Sequence, residues 1–155
     1  MRGETLQAWI CTAMMRIGTR MATGFDQHFA GFGITQAQFR LLLAVLSEGG
    51  SQGIAPSSLA DHLLIERGTV SVLSSRMVKQ GWLKRKPGEN RRSHRLVITE
   101  AGGQVLQNVA PLALDLAETT LAGFSPEQLD AMRASLELIE NKLRALPEKE
   151  SYHES

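Results

Sequence analysis

Between Arg67 and Lys79 the chain reads RGTVSVLSSRMVK, and two kinds of surface are segregated within it. Val70, Leu73 and Met77 recur at three- and four-residue spacing, which predicts one apolar face of a helix over Arg67 to Gln80. At about 100° per residue, the opposite face carries Gly68, Ser71, Val72, Ser75, Arg76 and Lys79. Short hydroxyls, one small apolar group and two cations are what a duplex major groove accepts. Ser71, Ser75 and the neighbouring Thr69 can meet base edges, Val72 can touch a thymine methyl, and Arg76 and Lys79 can bond guanine or phosphate. A second cationic cluster follows at Glu89-Asn90-Arg91-Arg92-Ser93, where Arg91 and Arg92 are of the type favoured in narrow minor grooves.

These groups need elements to hold them. Upstream, Leu59 and Leu63 stripe a shorter helix, and Ile65 fills a three-residue turn before the second helix. Downstream, Trp82 to Lys86 and His94 to Ile98 alternate as two strands, with Pro87-Gly88 opening the turn between them. Helix–turn–helix spacing alone is common to many three-helix cores, and a basic run alone is often only a solvated face. Their combination with a basic two-stranded wing is specific for duplex DNA. Charge agrees: Ser57 to Thr99 holds nine basic and three acidic side chains, a net of +6, in a chain whose total is +1. The rest must therefore sum to −5, so a near-neutral protein is strongly polarised.

Around this unit the chain reads as helices. Glu4 to about Ala30 carries Leu6, Ile10, Ala13, Ile17 and Met21 on one stripe, broadened by Met14 and Met15, and Gly31 and Gly33 end it. Such a methionine-rich face is more often core or dimer seam than ligand pocket. Thr35-x-x-Gln38 is a capping-box pattern, and Phe39, Leu42, Leu43 and Leu46 give the following helix a core-facing spacing. Gly49 to Gly53 reads as a flexible link. The next helix starts at Ala55-Pro56-Ser57-Ser58, its cap being either Ala55 or Ser57.

Thr99 caps a helix running towards Leu121, with Val105, Leu106, Val109, Leu112 and Leu116 on its apolar side. Pro111 within it predicts a kink or a break. Ser125-Pro126-Glu127-Gln128 starts the last helix, where Leu129, Met132, Leu136, Ile139, Leu143 and Leu146 form a coiled-coil-like seam. Two striped terminal helices have more apolar surface than a small winged core can cover, so a homodimer is expected.

At 155 residues the chain suits a single domain with dimerisation arms. Aromatics at 5% disfavour a stacking or sugar-binding surface. No apolar run reaches the roughly 18 residues of a membrane span, and no signal peptide is read. The single cysteine, Cys11, excludes an intrachain disulfide and agrees with a reducing cytoplasm. His28, His62, His94 and His153 are scattered without a paired spacing, so no metal is expected. Nor is a cofactor or a catalytic residue: no nucleophile elbow, P-loop or Gly-rich dinucleotide turn occurs. The rivals from other classes are an enzyme, which lacks any activated serine, and a winged-helix protein-interaction module, which the basic wing argues against.

The chain resembles the MarR family of bacterial transcriptional regulators along nearly its whole length. The likeness lies in ITQAQFRLL (34–42), Ser58-Leu59-Ala60, RGTVS (67–71), QGWLKR (80–85), Asn90-Arg91-Arg92-Ser93 and LVITEAG (96–102). One departure stands in the wing. The family usually carries Asp-x-Arg there and this chain has Asn90-Arg91-Arg92, leaving Glu89 as the nearest carboxylate that could orient Arg92.

The resemblance implies a mainly α fold (α+β) in one domain, 1–155. A winged helix-turn-helix unit spans 54–99, helices within 1–33 and 123–147 form a dimerisation region, and a frayed tail covers 148–155. It implies a repressor that binds a pseudo-palindromic operator as a homodimer and is released by a small-molecule effector, often an aromatic acid. Ser58, Arg67, Lys86 and Ser93 join the contact set already named. One branch of the family senses organic hydroperoxides through a cysteine placed much like Cys11 and surrounded by tyrosines. Here Met15 and Phe25 stand near those positions and the only tyrosine is Tyr152, so a structural core cysteine is the expectation and a redox role the alternative.

Overall fold

The computed structural model describes residues 3–146 and contains six α-helices and a two-stranded sheet. Helix α1 (Leu6–Phe29) starts two residues later than expected, because Thr5 caps it by accepting the Ala8 N–H at 3.2 Å. A 3-10 turn over Ala30–Phe32 and Gly33, at φ +69°, reverse the chain. The Thr35–Gln38 capping box opens α2 (Gln36–Ala44), which winds into a π-type turn over Val45–Gly49. Helices α3 (Pro56–Leu63) and α4 (Arg67–Lys79) follow, with Ala55 as the residue before Pro56 at the start of α3. Strands β1 (Leu83–Pro87) and β2 (His94–Ile98) pair antiparallel from Leu83↔Ile98 to Pro87↔His94. Pro87 therefore ends a strand rather than opening the turn. Helices α5 (Glu100–Thr120) and α6 (Pro126–Ala145) complete the chain, the latter opened by a Ser125–Gln128 capping box.

The core lies between α2, α3, α4, the sheet and the first half of α5. Phe29, Leu41, Leu42, Val45, Leu59, Val70, Met77, Leu83, Leu96 and Val109 are fully buried. On α2 the expected stripe is only partly right. Leu42 is buried and Phe39 half-buried, but Leu43 and Leu46 are exposed, and the inward face is Gln38, Leu41, Leu42 and Val45. Gln38 can join that face because its carboxamide oxygen is already bonded to the Thr35 N–H at 3.0 Å, so burial strands no acceptor. Pro111 does not break α5: the helix continues past this exposed residue, with Val109 packed before it and Leu112 and Leu116 half-buried after it.

Residues 49–53 are not a flexible link. Ile54 exchanges both backbone hydrogen bonds with Leu96, at 3.0 and 2.8 Å, and so adds a third edge to the sheet. Gly53, at φ +80°, sits so close beneath β2 that a Cβ would come 2.8 Å from the Leu96 carbonyl oxygen and 2.8 Å from Val97 Cγ2. Gly53→Ala is expected to lower stability by about 2 kcal/mol, read by chemical denaturation, because it combines backbone strain with a clash against main chain. A change below about 0.5 kcal/mol would show that this turn yields freely.

The arms are another matter. Of α1 only Ala13 and Phe29 are buried, and α6 has no buried residue at all. Among the described residues no single helix is long and apolar enough to cross a membrane. The expected tail, 148–155, lies outside the described residues.

Candidate nucleic-acid interface

The α3–α4 turn fixes the geometry of the reading unit. Leu64 closes α3 in the left-handed conformation at φ +55°, and the Ile65 N–H bonds back to the Ala60 carbonyl at 3.2 Å. Leu59, Ala60, Val70, Ser74 and Met77 face inward, the Ser74 hydroxyl being satisfied by the Ser71 carbonyl at 3.2 Å. Helix α4 is thereby held by one face. Arg67, Gly68, Thr69, Ser71, Val72, Arg76 and Lys79 are exposed on the other, Val72 at 58%. The side chains of Arg67, Arg76 and Lys79 make no hydrogen bond or ion pair among the described residues.

Three expected contact residues, Ser75, Lys86 and Ser93, are engaged within the protein. The Ser75 hydroxyl is half-buried and accepts from Arg85 Nη2 at 3.2 Å, so it ties α4 to the base of the wing. Lys86 Nζ donates to the Ser51 carbonyl at 3.0 Å, although the side chain remains exposed. Arg95, counted above only for its charge, forks onto the Gly53 carbonyl at 3.3 and 3.2 Å and braces the sheet edge.

At the wing tip Asn90 orders the loop backbone, and among the described residues no carboxylate orients the Arg92 guanidinium. Asn90 Oδ1 accepts the backbone N–H of Arg92 and of Ser93, each at 3.0 Å. The Ser93 hydroxyl closes the loop, accepting the Asn90 N–H at 3.1 Å and donating to the Asn90 carbonyl at 3.2 Å. Ser93 is thus a loop staple, and Glu89 makes no bond in place of an aspartate. Asparagine side chains mimic a turn in this way without needing charge. Arg91 and Arg92 stand exposed on this ordered loop. Asn90→Ala should weaken DNA binding several-fold while leaving its salt dependence unchanged, because it loosens the loop without removing a cation. Asn90→Asp should restore affinity, and a changed salt slope in Asn90→Ala would contradict this account.

Helices α3 and α4 also differ from the other four. Thr5, Thr35, Thr99 and Ser125 cap α1, α2, α5 and α6 through their side chains, whereas no side chain caps α3 or α4. Exposed Ser58 lies in the first turn of α3. Free N–H groups at a helix start are natural phosphate partners.

This architecture has known counterparts. The MarR family profile matches residues 32–93, from the end of the first turn to the wing tip. The HTH-type transcriptional regulator PecS of Dickeya dadantii is 26% identical over 131 residues, covering 84% of this chain and 79% of PecS. Both comparisons make the chain similar to MarR-family regulators. Its fold is the mainly helical winged helix-turn-helix fold of DNA-binding transcriptional regulators. The fold is shared by the Staphylococcus aureus MepR–DNA complex, at TM-score 0.75 and 20% identity over 85% of this chain and 96% of that one. It is shared too by the organohalide-sensing regulator RdhR in its 2,4-dichlorophenol-bound form, at TM-score 0.79 and 16% identity over 94% of this chain and 85% of that one.

Away from the reading surface, the chain holds a cavity of about 250 Å³ between α1 and α2. Met21, Ala22, Phe25, Phe29 and Phe39 give it apolar walls, and Gln36 and Arg40 supply polar groups. Beside it, Asp26 Oδ1 accepts the Gln36 N–H at 2.7 Å and ties the end of α1 to the start of α2. Sequence reasoning missed this cavity because its walls come from two helices whose mutual packing no local pattern specifies. Cys11 corrects an expectation: it is exposed on α1, not part of the core. The apolar stripe it adjoins is itself left uncovered in the protomer. Of the histidines within the described residues, His62 approaches Glu48 at 3.9 Å. No group of three potential metal ligands is assembled there.

Proposed function

We propose that this chain is a MarR-family regulator that acts as a homodimeric repressor of a pseudo-palindromic operator and is released by a small aromatic anion. The observation that carries the reading is the uncovered surface of the arms. The protomer exposes 11648 Å², whereas a compact monomer of its 17.0 kDa should expose about 7,700 Å². Leu6, Trp9, Ile10, Met15 and Ile17 on α1, with Leu136, Leu138 and Leu143 on α6, are among the large apolar side chains left in water. Pairing through these arms places two copies of α4 about 34–36 Å apart, in successive major grooves. Arg76, Lys79 and the wing arginines then supply phosphate and minor-groove affinity, while Thr69, Ser71 and Val72 discriminate bases.

Release follows from the cavity between α1 and α2. Its aromatic walls suit a single ring, and the Arg40 guanidinium suits an acid or phenolate; RdhR, of the same fold, has a 2,4-dichlorophenol-bound form. A ligand wedged there would shift α1 against α2 and spoil the half-site separation. The experiment is selection of bound fragments from the source genome, followed by mobility-shift titration with benzoate and 2,4-dichlorophenol. Dimers on palindromic fragments, released by either compound and less readily in Arg40→Ala, are expected. A monomer indifferent to all fragments at low salt rejects the reading.

A thiol-sensing version of the same regulator rests on Cys11, which is exposed in the protomer but lies on the α1 surface that the proposed dimer would cover. Mild cumene hydroperoxide treatment should then abolish operator binding by the parent chain and spare Cys11→Ser. Equal behaviour of the two rejects thiol sensing.

A further inference from the structure

Arg144, in the last turn of α6, reaches across to the reading unit. Its Nε donates to the Asp61 carbonyl and its Nη2 to the His62 carbonyl, each at 3.1 Å. Among the described residues these are the hydrogen bonds that join α6 to the winged unit. The guanidinium is oriented from its own helix by Asn141 Oδ1 at 3.3 Å and Glu140 Oε2 at 3.4 Å. Asp61 and His62 belong to the last turn of α3, at the negative end of the helix dipole, and the Asp61 carbonyl also accepts the Leu64 N–H at 3.4 Å. A cation forked onto these two carbonyls complements that end of the dipole.

The place of that fork matters more than its strength. Leu64, immediately beyond, is the only non-glycine residue at positive φ among the described residues, and it begins the turn that sets α4 against α3. Leu143 and Leu146 line an open cleft with Ala60, Leu64 and Ile65 beside the hydrogen bonds. The Arg144 side chain is still 32% exposed, and its ion pair with Glu140 is too open to water to hold the fold together. What the fork supplies is direction. Since α6 buries no residue in the protomer, few other contacts restrain the angle between this arm and the reading unit.

We propose that Arg144 is a positioning residue for operator recognition: by clamping the end of α3 to the dimer arm, it sets the separation of the two α4 helices. This rests on the dimeric operator-binding reading above. It assigns the half-site spacing to a residue that touches no DNA.

The test uses the full chain and duplexes that the parent protein selects from a random pool, remade with one base pair added or removed between half-sites. Arg144→Met should bind the selected spacing about tenfold more weakly and lose most of its preference over the altered spacings. Its dimer mass and salt slope should be unchanged, since no phosphate contact is lost. Arg144→Lys, which keeps a donor cation, should recover part of the preference. A retained spacing preference in Arg144→Met, a loss equal on all spacings, or a reduced salt slope overturns the proposal while leaving operator binding intact. If the parent chain selects no duplex, the operator reading falls and this inference falls with it.

Discussion

Replacing Arg91 and Arg92 together by alanine is expected to weaken binding to every duplex by about one to two orders of magnitude and to reduce the slope of log K against log salt by about two. Both guanidiniums stand exposed on a loop whose backbone is already ordered by Asn90 and Ser93, so little backbone freedom remains to be lost on docking. Each cation placed on the phosphate backbone or in a narrow minor groove releases about 0.9 of a condensed counterion. The loss should fall equally on operator and random DNA, because neither residue reads a base edge in the major groove. Arg92→Ala alone should give about half the change in slope. Folding should be untouched. Salt titrations by fluorescence anisotropy on an operator and a scrambled duplex measure all of this, and an unaltered slope would remove the wing from the interface.

The largest effect on stability is expected from Phe29→Ala, a loss of about 3–5 kcal/mol. Phe29 ends α1 with none of its surface exposed, and its ring meets Phe25 and Phe39 edge-on at 5.8 and 5.3 Å. The substitution removes a buried ring, opens a void beside an existing cavity and discards two aromatic pairs. Because α1 is otherwise barely buried, Phe29 is the peg that fastens this arm to the core. Denaturant titration at fixed protein concentration is the appropriate measurement, since the proposed dimerisation would make the midpoint concentration-dependent. Phe29→Leu, which keeps most of the volume, should cost less than half as much. A loss below about 1.5 kcal/mol would mean the pocket collapses without penalty.

Much of this protein was legible because its signals are local. Both capping boxes, Thr35–Gln38 and Ser125–Gln128, form as their spacing implies, since each is closed by residues three apart. The buried face of α4 and the antiparallel wing follow from periodicities within a dozen residues. The concentration of positive charge between Ser57 and Thr99 is a property of composition alone. Asn90 was legible too, had its amide oxygen been weighed as an acceptor rather than as an aspartate lost.

Other features depend on partners far along the chain. Which stripe of α2 turns inward was ambiguous because Leu41, Leu42 and Leu43 offer two. The choice falls to the face whose one polar member, Gln38, is satisfied by a cap. The glycines at 49–53 look pliant in isolation, yet Ile54 is stitched to Leu96 and Gly53 lies beneath Arg95, Leu96 and Val97. The exposure of Cys11, the cavity between α1 and α2, and the reach of Arg144 to Asp61 and His62 likewise arise only when helices remote in sequence are laid together. Periodicity tells which side of a helix is apolar. It does not tell what that side will meet, because packing is settled by shape and by unsatisfied polar groups across the whole fold.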